Sequence, residues 1–542
     1  MIFEKFYFFA ELRKLLNFGE RHSFLSSFFL GFSLNFALPP FGGWMILPLS
    51  ITPFLMILES APNLKRLFWI GFFYYFGYFS GGLYWISIAL SVDWSRFFWL
   101  FPFSFLGIPV ALAFLIAPTV YGLWILKHHP NLKIFLFAGS IFIFDLMRTY
   151  LFPQFPWNLL GYTLASSLWF LQSAALFGVF GLGLFALFLG AFPYLLLKKA
   201  TRHSGILICI FLSIAFFSGG VRLLKNPSQP TPLSLCLVQP NIPQTLKWVP
   251  SFRKTTLEKL NALSTLAISA SPKNFSLLVI WPETAVPLFL EEEEGLRRQL
   301  TSFLTPNALL ITGSGRRTSP SSTFSFVKPS APPQQKAWNS LFVLNPEGEI
   351  LNIYDKVHLV PFGEYIPFRK VLQALSVSHF IDRTLDFSEG EELQNVTLPN
   401  FPPFSPLICY EIAFPHHILN PNFSRPEWIL NITNDAWFGT STGPYQHLQM
   451  AQVRACEECL PVVRVANTGI SAIIDPCGRF LNVLPLNQTG TLRGLLPKSL
   501  TPSFYARYGN WSPLFLLLIF GAFLGIPHFC TFLFKKKKAK RL

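Results

Sequence analysis

Eight long apolar runs frame this chain, seven before residue 221 and one after residue 510, with a single polar stretch held between the seventh and the eighth. The runs cover residues 23–39, 43–59, 67–90, 98–126, 132–147, 168–197, 204–220 and 513–534. A helix needs about 20 apolar residues to cross the hydrocarbon core of a bilayer. In lipid the backbone must satisfy its own hydrogen bonds, which leaves helices and closed barrels. Runs of this length predict helices. The expected fold is a polytopic α-helical membrane protein of about eight transmembrane helices carrying one large α/β domain. Hydrophobic residues make up 51% and charged residues 13% of the chain, against about 25% charged in an ordinary soluble domain. The expected domains are 1–220 with seven spans, 221–510 as the catalytic insertion, and 511–542 as a last span with a basic tail.

The formal charge of +16 invites a nucleic-acid reading, but its placement argues against one. Lys5, Arg13, Lys14, Arg21, Lys65, Arg66, Lys127, Lys133, Lys198, Lys199, Arg202, Lys535–Lys538, Lys540 and Arg541 all flank apolar runs on the side of the N-terminus. The short loops on the opposite side hold only Arg96 and Arg148. Lys and Arg concentrate in cytoplasmic loops. Both termini are therefore expected in the cytoplasm and residues 221–510 outside, in the periplasm if the membrane is a bacterial inner membrane. Charged residues interrupt the first 22 positions and no small-residue cleavage site follows, so the first run is read as a retained helix rather than a cleaved signal. The basic tail reads as a cytoplasmic anchor. Asp145 and Arg148 lie three apart at the outer end of the fifth run, on one helix face. They suit an ion pair or a headgroup contact. The following Phe152-Pro153-Gln154-Phe155-Pro156-Trp157 has the aromatic content of an interfacial segment.

Within 221–510, β-rich apolar runs recur at Leu233–Val238, Ser276–Ile280, Ala308–Thr312, Ser340–Leu344, Ser405–Cys409, Trp428–Thr433 and Ile470–Ile474. Helix-like stretches such as Arg253–Ser269 and Leu288–Leu304 lie between some of them, and alternation of this kind predicts an α/β domain with buried sheets. Glu291–Glu294 reads as a solvated face. Residues 314–337, rich in Ser, Pro and basic residues, read as a loop. Cys236, Cys409, Cys456, Cys459 and Cys477 are an odd number of thiols for an oxidising compartment, so at least one cannot pair within the domain. Cys456 and Cys459 form a Cys-x-x-Cys after the helix-like run Pro444–Ala455, and packed helix cysteines are expected there. No second Cys or His pair stands at zinc-ligand spacing, and no metal or cofactor is expected.

Three short motifs carry the chemistry: Trp281-Pro282-Glu283, Tyr354-Asp355-Lys356 and Ile408-Cys409-Tyr410-Glu411. A thiol with an ordinary pKa is mostly protonated at neutral pH and needs a base or a nearby cation. Glu283 is placed to take the proton. Lys356 suits the stabilisation of a thiolate and of a tetrahedral oxyanion, a large term in acyl transfer. Glu364 and Glu411 suit tuning of the lysine and orientation of an acceptor amine. No histidine is required. Singly, each residue also fits an ordinary role: Cys409 as a core thiol, Glu283 as a helix N-terminal acid, Lys356 as surface charge.

Together these motifs resemble the nitrilase, or carbon–nitrogen hydrolase, superfamily with its Glu-Lys-Cys triad. Across nearly its full length the chain resembles the apolipoprotein N-acyltransferase family. The matching segments are Leu237–Gln244 with Lys247-Trp248, Trp281–Ala285, Lys356–Pro367, Ile408–Glu411, Asn434–Gly439, Gly443–His447 and Tyr508–Trp511, with Phe155-Pro156-Trp157 in the membrane part. The resemblance implies an αββα sandwich and a ping-pong reaction. Cys409 would take the sn-1 acyl chain of a membrane phospholipid as a thioester, then pass it to the α-amine of a diacylglyceryl-cysteine at an apolipoprotein N-terminus. It implies Glu283 as base, Lys356 as charge stabiliser and Cys409 as nucleophile. Glu364, Tyr410 and Glu411 would be auxiliary, and Trp248, with Asn434, Trp437 and Phe438, would border the substrates. Pro240 stands where the family pattern leads one to expect glycine, which would stiffen the Trp248 loop. The alternatives are a membrane-tethered nitrilase or amidase acting on a small molecule, and a transporter with an outer binding domain. The spans carry few of the midplane polar groups that transport uses.

Overall fold

A computed structural model describes residues 21–126, 129–269, 276–318, 336–367, 369 and 386–522. The basic positions Lys5, Arg13, Lys14, Lys127 and Lys535–Arg541, together with Cys530 and most of the Ser/Pro-rich loop, lie outside the described residues. The chain forms two compact units. One gathers the residues up to Pro227 with Ser441–Cys459 and those from Thr501 onward; the other holds Ser228–Thr440 and Leu460–Leu500.

The first unit is helical. Among the described residues three helices are long and apolar enough to cross a membrane: Phe98–Ile125, Ala174–Leu197 and Arg202–Lys225. Ser23–Ala37, Ile46–Glu59 and Trp511–Ala522 are shorter apolar helices. Arg202–Lys225 presents Ile206, Leu207, Ile210, Ile214, Phe217 and Val221 outward. An apolar outer surface of this kind suits lipid rather than water. The sixth apolar run is broken: a turn at Leu168–Leu171 precedes Ala174–Leu197, which kinks at Gly178 with φ 62°. Helices Ser23–Ser33 and Leu64–Leu83 cross at backbone contact, since a Cβ on Gly31 would sit 1.7 Å from the Tyr74 carbonyl oxygen and one on Gly77 2.0 Å from that of Phe28. Small residues permit such approach in membrane bundles, where packing substitutes for the hydrophobic drive.

The fifth run is longer than its apolar core suggests. The helix spans Pro130–Tyr150 and so contains both Asp145 and Arg148. Arg148 pairs with Asp145 at 2.8 Å and donates to the carbonyls of Phe155, Trp157 and Asn158. These three carbonyl bonds clamp the following turn to the helix. Trp157 is buried, and its indole N–H donates to Gln446 at 2.7 Å. Phe152 is exposed, whereas Trp157 packs inside the helical unit rather than lying at its surface. Helix Gly443–Glu458 ends at Cys459, whose φ of 56° closes it. Cys456 and Cys459 are both buried, as expected of packed helix cysteines.

The second unit is built on two sheets. The first contains β1 (Pro230–Gln239), β2 (Ser276–Ile280), β3 (Val286–Phe289), β4 (Ala308–Arg317), β5 (Ala337–Leu344) and β6 (Ile350–Asp355). The second contains β7 (Val396–Leu398), β8 (Phe401–Ile408), β9 (Trp428–Thr433), β10 (Val462–Ala466), β11 (Ser471–Ile474) and β12 (Phe480–Leu484). β13 (Gly490–Pro497) returns to the first sheet, giving the order β13-β1-β2-β4-β5-β6 with β3 beside β4; the second runs β12-β11-β10-β9-β8-β7. β1, β2 and β4 are parallel, as are β8, β9 and β10. Side chains alternate along β1, so Leu233, Leu235 and Leu237 face a core shared with Ile408, Leu430, Ile432 and Val463, whereas Cys236 and Val238 face Leu260 and Leu300. The latter two belong to helices Arg253–Ser269 and Glu294–Thr301. The expected helix Leu288–Leu304 is shorter than predicted, because Val286–Phe289 joins the sheet and Leu290–Glu292 forms a turn.

Candidate active site

Parallel strands end together, and their ends open onto one edge of a sheet, where side chains are held rigidly but not covered. Glu283 lies just after β2, Cys409 just after β8 and Lys356 just after antiparallel β6. Three of these turns are bent into the left-handed region that side chains avoid: φ is 43° at Thr284, 53° at Cys409 and 62° at Phe362. Strain of this kind persists only where the surroundings over-determine it. Gly313 on β4 supplies part of that constraint. A Cβ there would lie 2.4 Å from the Thr284 nitrogen and 2.7 Å from the Glu283 Cα.

The charged side chains form one buried cluster. Lys356 Nζ stands 2.8 Å from Glu364 Oε1 and 3.5 Å from Glu283 Oε1. Asn339 donates to both carboxylates, at 2.7 Å to Glu283 and 3.0 Å to Glu364. The second oxygen of Glu364 accepts the Val360 amide at 2.8 Å. Burial acts to pull the Lys356 pKa down, but Glu364, Glu283 and Cys409 override it and hold the ammonium above the usual lysine range. Cys409 is driven the other way. Burial and then the Glu283 charge push its thiol well up, against the pull of Lys356 and a hydrogen bond with Thr433. The resting sulfur is therefore a thiol, near enough to both Glu283 and Lys356 to feel their charges. His358 is held down at about 4 by burial, His417 and Lys356, so it is neutral at pH 7 and adds no charge.

Glu411 does not reach into this cluster as a second base. Its Oε1 accepts from the Tyr354 hydroxyl at 2.9 Å and from the amides of Val357 and His358 at 2.7 and 3.1 Å; its Oε2 accepts from the Ile408 amide at 2.7 Å. One carboxylate thus ties the strand end before Lys356 to the strand end before Cys409. Burial raises its pKa to about 7, opposed by those amides and by Lys356. Tyr410 is buried and sits edge-on to Phe414 at 5.1 Å.

The four residues expected to border substrate divide. Trp248 and Trp437 are exposed, at 47% and 41%, and Phe438 is half-buried. Asn434 is buried, donating to Gln244 at 2.7 Å and accepting from Asn467 at 2.9 Å. It holds the Gln244–Lys247 turn rather than lying open.

Several residues here were not legible in the motifs. Asn431 donates to the Cys409 carbonyl at 3.3 Å and is bonded by Arg464, which also pairs with Asp435 at 2.7 Å. Arg464 and Asp435 are fully buried, and buried charges persist only when paired. The signal was available: an arginine in the middle of the apolar run Val462-Val463-Arg464-Val465 demands a partner. Lys247 is the other addition. It is buried and donates to the Glu283 carbonyl oxygen at 3.0 Å. Burial lowers its pKa to about 8, with Glu283 and Cys409 pulling it back up. Among the described residues no group of His, Cys, Asp or Glu has the arrangement of a metal site.

Two family models match the chain. Residues 235–503 match the carbon–nitrogen hydrolase model, and residues 30–192 match that of the apolipoprotein N-acyltransferase N-terminal domain. Similar proteins include the apolipoprotein N-acyltransferase of Rhodopseudomonas palustris, 36% identical over 88% of this chain and 90% of that one. That of Brucella melitensis is 33% identical over 94% and 96%, and that of Rickettsia prowazekii 33% over 85% and 91%. The likeness spans helical unit and sheet unit alike, so the chain belongs to the apolipoprotein N-acyltransferase family.

Proposed function

We propose that this protein moves an acyl chain from a membrane phospholipid to the N-terminal amine of a diacylglyceryl-cysteine apolipoprotein, through a thioester on Cys409. The observation that carries the reading is the convergence of Glu283, Lys356 and Cys409 at neighbouring strand ends, with Lys356 charged and Cys409 protonated at rest.

A protonated thiol beside a carboxylate sets the order of events. As the sulfur attacks the ester carbonyl, Glu283 takes its proton and Lys356 stabilises the oxyanion. Collapse breaks the ester C–O bond, and the proton passes from Glu283 to the lysophospholipid hydroxyl that leaves. In the second half, the neutral α-amine attacks the thioester, Glu283 takes the amine proton, and the departing thiolate recovers it. The sum transfers one acyl group with no net change in protonation. Glu364 and Asn339 keep the lysine and the base in register, and Glu411 fixes the spacing of the Lys356 and Cys409 turns. Trp248, Trp437 and Phe438 border the entrance for lipid.

We place residues 221–510 on the outer side of the inner membrane and both termini in the cytoplasm, on the asymmetry of Lys and Arg. Tethering suits the substrates, since each buried methylene adds about 0.8 kcal/mol of membrane affinity. The test is incubation of the purified protein with acyl-labelled phospholipid. Hydroxylamine-sensitive label is expected on Cys409 and absent from Cys409→Ala. Release of soluble acid from an amide or nitrile, with no labelled cysteine, would favour a tethered amidase instead.

A further inference from the structure

Lys247 has no part in the chemistry just described, yet it is a buried cation whose ammonium reaches the backbone of the catalytic base. It ends the short turn Gln244–Lys247, immediately before exposed Trp248. The Lys247 ammonium donates to the Glu283 carbonyl at 3.0 Å. That carbonyl enters the strained peptide at Thr284, where φ is 43°. The other end of the turn is held as well. Gln244 accepts from Asn434 at 2.7 Å, and Asn467 bonds Asn434 and both backbone groups of Ile242, at 2.9, 3.0 and 2.8 Å. The turn is thus pinned at one end to the segment after β9 and at the other to the peptide that aims the Glu283 carboxylate.

We propose that Lys247 is a positioning residue that couples the Trp248 loop to Glu283, so that lipid seated against Trp248 sets the aim of the base. The proposal rests on the acyl-transfer reading above. A buried ammonium is retained at this position because its three donors sit at the end of a flexible stem; it can follow the loop while keeping the carbonyl. An apolar residue of similar length fills the space but lets the strained turn relax.

The test is a double-mutant cycle on the full-length protein in detergent or vesicles, read as the rate of Cys409 acylation at saturating labelled phospholipid. Lys247→Met is expected to slow acylation about tenfold or more, as befits loss of a hydrogen bond from a charged group, with apparent phospholipid affinity nearly unchanged. Lys247→Arg, which keeps a donor, is expected to recover most of the rate. Trp248→Ala added to Lys247→Met is expected to slow the reaction little further, because contacting or linked residues are non-additive. Wild-type rates in Lys247→Met, or losses that multiply in the double variant, would overturn the coupling. Should Lys247→Met fail to fold, Gln244→Leu cuts the opposite end of the same turn, and multiplicative loss with Trp248→Ala would overturn it equally. A wild-type protein that never labels Cys409 defeats the acyl-transfer reading; one that labels normally while the Lys247 variants behave like it defeats only this inference.

Discussion

Lys356 makes its shorter ion pair with Glu364, at 2.8 Å, and stands 3.5 Å from Glu283. The difference matters because a carboxylate held in a tight pair with an ammonium is a poor proton acceptor. On the acyl-transfer reading, Glu364 holds the lysine and Glu283 serves as the base. Replacing Glu364 with glutamine should move Lys356 toward Glu283 and weaken it, lowering the rate of Cys409 acylation about 100-fold, within the usual range for general-base effects. Glu283→Gln should stop acylation altogether. Stopped-flow or quench measurement of thioester formation separates the two, and equal losses would count against a division of labour.

The thiol chemistry gives a sharper contrast. Burial and Glu283 raise the Cys409 pKa, whereas Lys356 lowers it. Wild-type Cys409 should therefore react slowly with iodoacetamide at pH 7 and faster as pH rises, without a plateau below pH 9. Glu283→Gln removes a neighbouring negative charge, so its thiol should alkylate faster than wild type at the same pH although acyl transfer is lost. Lys356→Met should alkylate more slowly. A Glu283 variant that alkylates more slowly than wild type would mean that the glutamate generates a standing thiolate.

Two of the three candidate triad residues follow strands whose apolar pattern stands out in the sequence, Leu277–Ile280 and Leu407–Ile408, whereas the strand before Lys356, Ile350–Asp355, was not expected; the motif resemblance, not the pattern, joined the three. The strands missed in the sequence were those whose pattern is interrupted. β10 carries Arg464, whose charge is paired with Asp435, 29 positions earlier in the chain. β12 has an exposed face at nearly every position, and β7 has three residues. The supporting shell was illegible for the same reason. Asn339, Asn431, Thr433 and Lys247 acquire roles only from residues that tertiary folding brings beside them. In the helical unit, the apolar runs announced helices but not the breaks within them, because the Gly178 kink changes backbone direction without changing hydropathy.

Glu411 supplies a test on stability. Burial pushes its carboxyl up to about 7 in the folded protein, from the 4.5 of an ordinary glutamate. The folded state therefore holds the proton more tightly than the unfolded state. Glu411 favours folding most below about pH 4.5, and that contribution declines as pH rises to about 7, through the proton-linkage relation. Glu411→Gln should still be less stable than wild type, because its amide nitrogen faces the N–H groups of Ile408, Val357 or His358 that the carboxylate accepts. Leaving such donors unmatched costs about 1–3 kcal/mol each. Thermal unfolding should show a gap between wild type and variant that narrows from pH 4.5 to pH 7; a widening gap would reverse the assignment.

Gly313 tests whether the strained turn aims the base. A methyl group there would meet the Thr284 nitrogen at 2.4 Å and the Glu283 Cα at 2.7 Å, both backbone atoms with no side chain to swing aside. Gly313→Ala should push the Glu283 turn outward by several tenths of an ångström and slow acylation about 10- to 100-fold, since small misplacements of a catalytic group have effects of this order. The variant should keep its fold by circular dichroism. Normal acylation would show that the turn tolerates displacement.

On the acyl-transfer reading, water at the Cys409 thioester is the remaining hazard, because hydrolysis of the acyl-enzyme would turn the transferase into a lipase. Trp437 is exposed at 41% and Phe438 is half-buried, both on the turn Asp435–Phe438 that follows β9. Trp437 presents an exposed apolar face there, and on the acyl-transfer reading the fatty chain covers it. Trp437→Ser or Phe438→Ser should then admit water beside the loaded cysteine. The expected result is faster release of free fatty acid from phospholipid in the absence of acceptor, with Cys409 labelling still detectable and the yield of N-acylated product reduced. Unchanged fatty-acid release would move the acyl pocket elsewhere along the strand ends and leave this turn without a part in excluding water.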